Sequence, residues 1–299
     1  KTYLNDPRVP EHSKFVVQGI NNINLLSGAA TYQLPLKLPP GTNNLAPALS
    51  LDYSSYRTLE IPSAVGTGWA IGQNYIQRNI KNTADNTSDD EYEIVFSNIK
   101  HDLVYVPSEN RFHTKIESFL YVANITGGAN SKNQYWVVKT KDGTSYRLGH
   151  NQDSELVTNL NNYATKWSLD LINDTHNNSI FYSYGENLYP NDLGAVYLTK
   201  IEYNNDKKRV VDFGYESSDR PDIWIVYENG NKQKQTRRLK DITITAKNKL
   251  VNRYVIEYET LGPQTRTSIK NITLFGNDNV TTIMQGRFTY HSLNKGWTS

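Results

Sequence analysis

The sequence contains no cysteine. That excludes disulfides, thiolate metal sites and a cysteine nucleophile, so the fold must stand on packing and hydrogen bonds. Net charge is nearly absent too: 32 basic residues stand against 30 acidic ones, a formal +2. So weak a field favours neither nucleic acid nor an anionic membrane, and no nucleic-acid partner is expected. No apolar run approaches the ~20 residues of a membrane span. The opening residues, Lys1-Thr2-Tyr3-Leu4-Asn5-Asp6-Pro7, lack the hydrophobic centre of a signal peptide. The chain begins without Met and stops at Gly296-Trp297-Thr298-Ser299, which reads as a fragment of a longer protein.

Catalytic patterns are missing as well. His12, His101, His113, His150, His176 and His291 are scattered, with no spacing that places two imidazoles on one zinc. There is no nucleophile elbow, phosphate-cradling loop or dinucleotide fingerprint, so neither an enzyme nor a cofactor is expected. Asp85, Asp89 and Asp90, with Asn82 and Asn86, gather acidity in one polar loop. A hand-type calcium loop needs a turn glycine and a distal glutamate, and the spacing supplies neither. The clusters Lys207-Lys208-Arg209 and Arg237-Arg238-Lys240 are short, sit beside turns and read as solvated charge.

What the chain has is tyrosine, 21 residues of it, while only 37% of the sequence is apolar. Tyrosine supplies β-favouring surface that packs its ring and keeps a polar tip. Leu34, Leu36 and Leu38 share one face at period two, and after Pro39-Pro40-Gly41 the alternation resumes at Leu49, Leu51 and Tyr53. That is a hairpin with an unusual corner, with Pro35 and Pro47 expected at edges or strand ends. A strand through Trp69, Ile71 and Ile76 follows. In the middle third, Glu91-Tyr92-Glu93-Ile94-Val95-Phe96 alternates, and Asp142-Gly143 joins Tyr135–Thr140 to Thr144–Leu148 in the strongest short hairpin signal of the chain. Residues 150–165 read as an Asn-rich loop.

The last part repeats a pattern four times: Leu/Ile-x-x-Ile, a polar turn, then a strand ending in an apolar or aromatic residue, any residue, and Tyr. The units run from Leu169 to Tyr184, Leu198 to Tyr215, Leu239 to Tyr258 and Ile269 to Tyr290. Hairpins in series bury a continuous surface only against their neighbours. The fold class is therefore all-β, with antiparallel hairpins in series forming a curved, extended sheet. Three regions are expected: an extended arm over 1–26, a signature β region over 27–165, and serial hairpins over 166–299 continuous with it.

The order of Gly28-Ala29-Ala30-Thr31-Tyr32, Pro39-Pro40-Gly41-Thr42-Asn43, Pro47-Ala48-Leu49-Ser50-Leu51, Gly66-Thr67-Gly68-Trp69 and Ile76-Gln77-Arg78 resembles the opening of the SpvB N-terminal domain family. That family occurs in virulence-plasmid B proteins and toxin-complex B subunits. The likeness continues through Ile116-Glu117-Ser118-Phe119, Trp136–Thr144, Trp167-Ser168-Leu169 and Arg220-Pro221-Asp222 to Arg237-Arg238-Leu239, and so covers most of the chain. The serial hairpins resemble the YD-repeat shells of Rhs and toxin-complex proteins, with the Tyr-Asp repeat itself degenerate. At His176-Asn177-Asn178-Ser179 the sequence departs from the glycine-bearing turn frequent in the family.

The resemblance implies a non-catalytic structural domain of a secreted bacterial toxin or virulence protein. Its strands would form part of a casing that carries or delivers a C-terminal effector. Its partners would be the remainder of the same polypeptide or a toxin-complex C-type subunit, together with a host-surface or toxin-translocating partner. The protein would be held in the bacterial cytoplasm before export and delivered into host cells. Gly28, Gly41, Gly66 and Gly68 are expected to supply conformations that a Cβ disfavours, Pro39, Pro40 and Pro47 to fix corners, and Trp69 to pin the corner to the core, with Arg78 closing the signature. Full-length proteins of the SpvB type can carry an ADP-ribosyltransferase with a Glu-x-Glu motif in a separate C-terminal module. The matching letters at Glu91-Tyr92-Glu93 and Glu257-Tyr258-Glu259 read as ordinary strand alternation.

Two other readings compete. An adhesin or glycan-binding module would stack sugars on aromatic platforms, yet Trp69, Trp136 and Trp167 lie on strand faces that point to the core; Trp224 and Trp297 are less constrained. A glycosidase would need a carboxylate pair in a cleft, which sequence cannot place.

Overall fold

The computed structural model describes residues 19–23, 28–158, 162–261 and 266–290. Most of the expected arm and Trp297 lie outside them. Among the described residues there are strands and short 3-10 turns and no α-helix.

A small antiparallel sheet comes first: β1 (Ile20–Ile23), β2 (Ala30–Pro35), β3 (Ser50–Ser54) and β4 (Trp69–Ile71), in sequential order. The hairpin around Pro39-Pro40-Gly41 is its centre, with Leu34 opposite Leu51 and Tyr32 opposite Tyr53. Pro35 ends β2, where no further ladder donor is needed. Ile20–Ile23 is itself a strand, pairing with β2 from Ile20 opposite Gln33 to Ile23 opposite Ala30.

The expected strand from Trp69 to Ile76 is two strands in two sheets. β4 ends at Ile71, and Gly72-Gln73-Asn74 carries the chain to β5 (Tyr75–Asn79), the first strand of the large sheet. From there β6 (Glu91–Phe96), β7 (Ile99–Val106), β8 (Arg111–Thr114), β9 (Tyr121–Thr126), β10 (Gln134–Lys139) and β11 (Ser145–Leu148) follow as neighbours. This run begins and ends on one strand. β13 (Ala164–Asn173) pairs with β5 at Lys166–Ser168 and with β11 at Leu169–Asn173, so the strands close into a barrel-like ring. Its filling is aromatic: the Trp136 and Trp167 ring centres are 5.8 Å apart, and Tyr92 touches both. Both tryptophans are buried.

Residues 150–165 contain structure where a loop was expected. Gln152–Ser154 forms a 3-10 turn and β12 (Glu155–Val157) pairs with β13. The Glu155 carboxylate turns inward to accept from the Ser131 backbone N–H and hydroxyl. Three residues are too few to show a period.

Beyond the ring the serial hairpins appear as read: β13 with β14 (Ser179–Glu186), β15 (Val196–Tyr203) with β16 (Arg209–Tyr215), β19 (Leu239–Ala246) with β20 (Lys249–Leu261), and β21 (Arg266–Phe275) with β22 (Thr282–Arg287). They extend the large sheet to sixteen strands, with β22 at its end. A separate ribbon, β17 (Ile225–Glu228) and β18 (Asn231–Lys234), interrupts the series. At the turn that lacks the family's glycine, Asn177 takes φ 60°. The Asp174 carboxylate accepts from the His176 and Asn178 backbone N–H groups there, so an Asx turn takes the place of glycine.

Candidate functional site

Among the described residues no constellation of reacting groups emerges; what recurs is a device for holding strands. Each of the four repeated tyrosines donates its hydroxyl to the carbonyl of the residue that opens its own unit. Tyr184 bonds Leu169 at 2.8 Å, Tyr215 bonds Leu198 at 2.9 Å, Tyr258 bonds Leu239 at 2.6 Å and Tyr290 bonds Ile269 at 2.6 Å. The first three also sit at β-bulges: the register slips beside Tyr184, Tyr215 and Tyr258, which then face Leu198, Leu239 and Ile269 of the next unit. Each of these three thus bonds its own unit and pairs with the following one. A bulge frees a backbone carbonyl from the ladder, and the phenol satisfies it inside the protein. Burial raises all four phenols, Tyr290 to about 12.

The small sheet docks on this ladder through the signature residues. Trp69 is 2% exposed, and its indole N–H donates to the Tyr290 hydroxyl at 2.8 Å. Tyr32, Tyr53 and Phe288 surround the indole, Phe288 edge-on at 4.8 Å. Gly66 and Gly68 adopt φ +88° and +79°, where a side chain is strained, and a Cβ on Gly66 would lie 2.9 Å from the Thr267 carbonyl. That approach lets the Thr67 N–H bond Thr267 at 2.7 Å, which ties the turn to β21. The corner docks as well: Tyr203 donates to the Pro39 carbonyl, and the Lys37 N–H donates to the Tyr254 hydroxyl.

Other expected signature residues have more local roles. Gly28 adopts φ +71° in open space. Gly41 is a correction: its φ of −83° suits any residue. What excludes a side chain there is space, since a Cβ would overlap the Leu45 carbonyl. Pro47 is buried just before β3. Arg78 anchors the polar loop after β5 by an ion pair with Asp90 at 2.7 Å, bonds the Ala164 carbonyl, and lies over the rings of Tyr92 and Tyr163.

Both glutamates of the first Glu-x-Glu have partners. Glu91 pairs with Lys81, and Glu93, nearly buried, with Lys100. Burial works to raise the Glu93 carboxyl, but Lys100 and Gln77 override it and hold it below its usual value. Trp69, Trp136 and Trp167 are all in the core, and the more exposed Trp224 lies beneath Arg266.

Sequence reasoning missed one buried cluster. Arg220 and Asp222, side chains 2% and 0% exposed, form an ion pair at 2.7 Å. Asp222 also accepts from the backbone N–H and hydroxyl of Thr267, and Arg220 donates to the Ser63 carbonyl. This cluster joins the loop before Trp69 to β21. The expected solvated run at 237–238 is a related correction: Arg237 is buried and bound to Asp219, while Arg238 grips Glu216 and lies over Tyr258. Their acidic partners come from a different stretch of chain, so charge counting along the sequence could not find them.

The fold and its strand-locking residues define an all-β structural domain built of hairpins in series. The family model for the Salmonella virulence plasmid 65kDa B protein, SpvB, matches residues 24–258. The chain belongs to that family. Solved structures share the fold. TcdB2-TccC3 aligns at a TM-score of 0.71 and 16% identity, over 91% of this chain and 17% of that one. The Photorhabdus luminescens Tc holotoxin pore aligns at 0.65 and 16%, over 87% and 15%. The N-terminal domain of effector protein SpvB from Salmonella typhimurium strain LT2 aligns at 0.62 and 16%, over 81% and 98%. The chain thus spans about a sixth of the toxin-complex chains and nearly all of the SpvB domain. Comparison with curated protein sequences finds no match.

Proposed function

We propose that this domain is non-catalytic and lends its strands to a casing that carries or delivers an effector located C-terminal to it. The remainder of the same polypeptide, or a toxin-complex C-type subunit, completes the casing. The assembly is secreted and delivered into host cells. The observation that carries this reading is the tyrosine-locked series ending at β22, whose outer edge has no neighbour among the described residues. An unpaired edge is a template for the next strand. The pairing of TcdB2 with TccC3 in the matching structures supports the kind of partner.

The test is protease protection. In the assembled parent protein, a C-terminal effector segment should resist cleavage until the casing is opened with denaturant. Cleavage at the same rate with the casing closed would count against it. Purified domain should show no glycosidase or ADP-ribosyltransferase turnover, and turnover abolished by Glu93→Gln would defeat the non-catalytic part.

A further inference from the structure

Between the small sheet, the large sheet and the β17–β18 ribbon lies a cavity of about 340 Å³, within the size range of small-ligand pockets. Ala70 and Ile71 line it from the first, Lys166 and Leu198 from the second, Glu228 and Gln233 from the third. Lys166 is partly buried, with its ammonium 4.0 Å above the Tyr75 ring. It forms no ion pair among the described residues. Burial pushes the Lys166 ammonium down, with Glu228 opposing from a distance.

Four side-chain amides of the lining, half-buried, are free of partners among the described residues. The side-chain amides of Gln73, Asn229, Gln233 and Gln235 all line the cavity, and none makes a hydrogen bond to another described residue. Four amides, each with donors and an acceptor, match a ligand rich in hydroxyls, which likewise donate and accept. Among the charged lining residues, Lys166 and Lys234 stand against exposed Glu228, leaving one positive charge over. A partly buried cation without an ion-pair partner gains from a counter-charge, which an anionic ligand would supply.

We propose that this cavity binds a sugar acid: a monocarboxylate with a hydroxyl-bearing body, its carboxylate on Lys166 and its hydroxyls on the four amides. Glu228 repels a second negative charge and so selects against diacids. The inference is independent of the casing reading.

Titration calorimetry on the 299-residue chain with glucuronate, glucose, acetate and glucarate tests it. Glucuronate should bind saturably, and glucose and acetate at least about tenfold more weakly. Lys166→Met should lose at least about tenfold, Gln233→Leu, on the separate ribbon, should weaken binding too, and Glu228→Gln should improve glucarate. A glucuronate-ended oligosaccharide binding as well as the monosaccharide would identify a glycan terminus as the source; binding of the monosaccharide alone would identify a free metabolite. Either retains the site. Equal affinity for glucose and glucuronate, no saturation by glucuronate, or folded Lys166→Met binding like wild type would overturn it.

Discussion

The indole N–H of Trp69 donates to the Tyr290 hydroxyl at 2.8 Å, and that hydroxyl donates in turn to the Ile269 carbonyl. One relay therefore links the small sheet to the last repeated hairpin, 221 positions away in sequence. Trp69→Ala removes a fully packed aromatic and should cost about 3–5 kcal/mol in urea unfolding. Trp69→Phe keeps most of the packing, loses the donor, and should cost clearly less. A Trp69→Ala protein as stable as wild type would contradict the role given to this residue.

The tyrosine ladder predicts a graded set. Phenylalanine at Tyr215 or Tyr258 leaves a bulge carbonyl unsatisfied inside the protein and should cost about 1–3 kcal/mol. Tyr227, 77% exposed on the ribbon, is the control, and its change to Phe should be within about 0.5 kcal/mol of neutral. Equal effects at all three positions would argue against the ladder.

Alkaline pH should unlock the same device. Burial raises the folded-state value of Tyr290 from 10.0 to about 12 and raises Tyr184, Tyr215 and Tyr258 as well. A raised folded value means stability that is full below pH ~10 and lost as pH climbs through the folded values. Tyrosinate absorbance from these residues should appear together with loss of β-sheet circular dichroism. Complete tyrosine ionisation near pH 10 with the sheet intact would contradict their burial.

Asp222→Asn should strand the buried Arg220 guanidinium and cost about 3–5 kcal/mol. Burial alone would raise the Asp222 carboxyl, but the Arg220 contact and the Thr267 donors hold it below 3.8. Its contribution is thus present above that pH and fades as acid takes it through the lower folded value. Acid titration of wild type and variant should converge at low pH, and parallel curves would show that the pair contributes nothing pH-dependent.

The serial hairpins were legible because a strand's period of two survives in sequence and each unit ends on the same residue type. Leu198, Ile201 and Tyr215 mark a hairpin by their spacing alone. The bulges that turn Tyr184, Tyr215 and Tyr258 into locks were not legible, since they depend on the partner strand's register. Closure of the first half into a ring was hidden for a similar reason: β5 and β11 meet on β13 through non-local pairing. The Gly66-Thr67-Gly68-Trp69 stretch is legible as glycine-dependent backbone leading to a core tryptophan. Arg220-Pro221-Asp222 stands out as a motif, but its role as a second anchor is not legible, because its partners Thr267 and Ser63 lie far away in sequence. The cavity around Lys166 is not legible in sequence because its lining comes from two sheets and a separate ribbon.

Amide exchange in β22 tests the central claim most directly. If the domain lends its sheet to a casing, the outward N–H groups of Thr282–Arg287 should exchange rapidly in the isolated domain and become protected in the assembled parent protein, while those facing β21 stay protected in both. Identical exchange of the outer edge before and after assembly would mean that no strand is added there, and the casing account would be wrong.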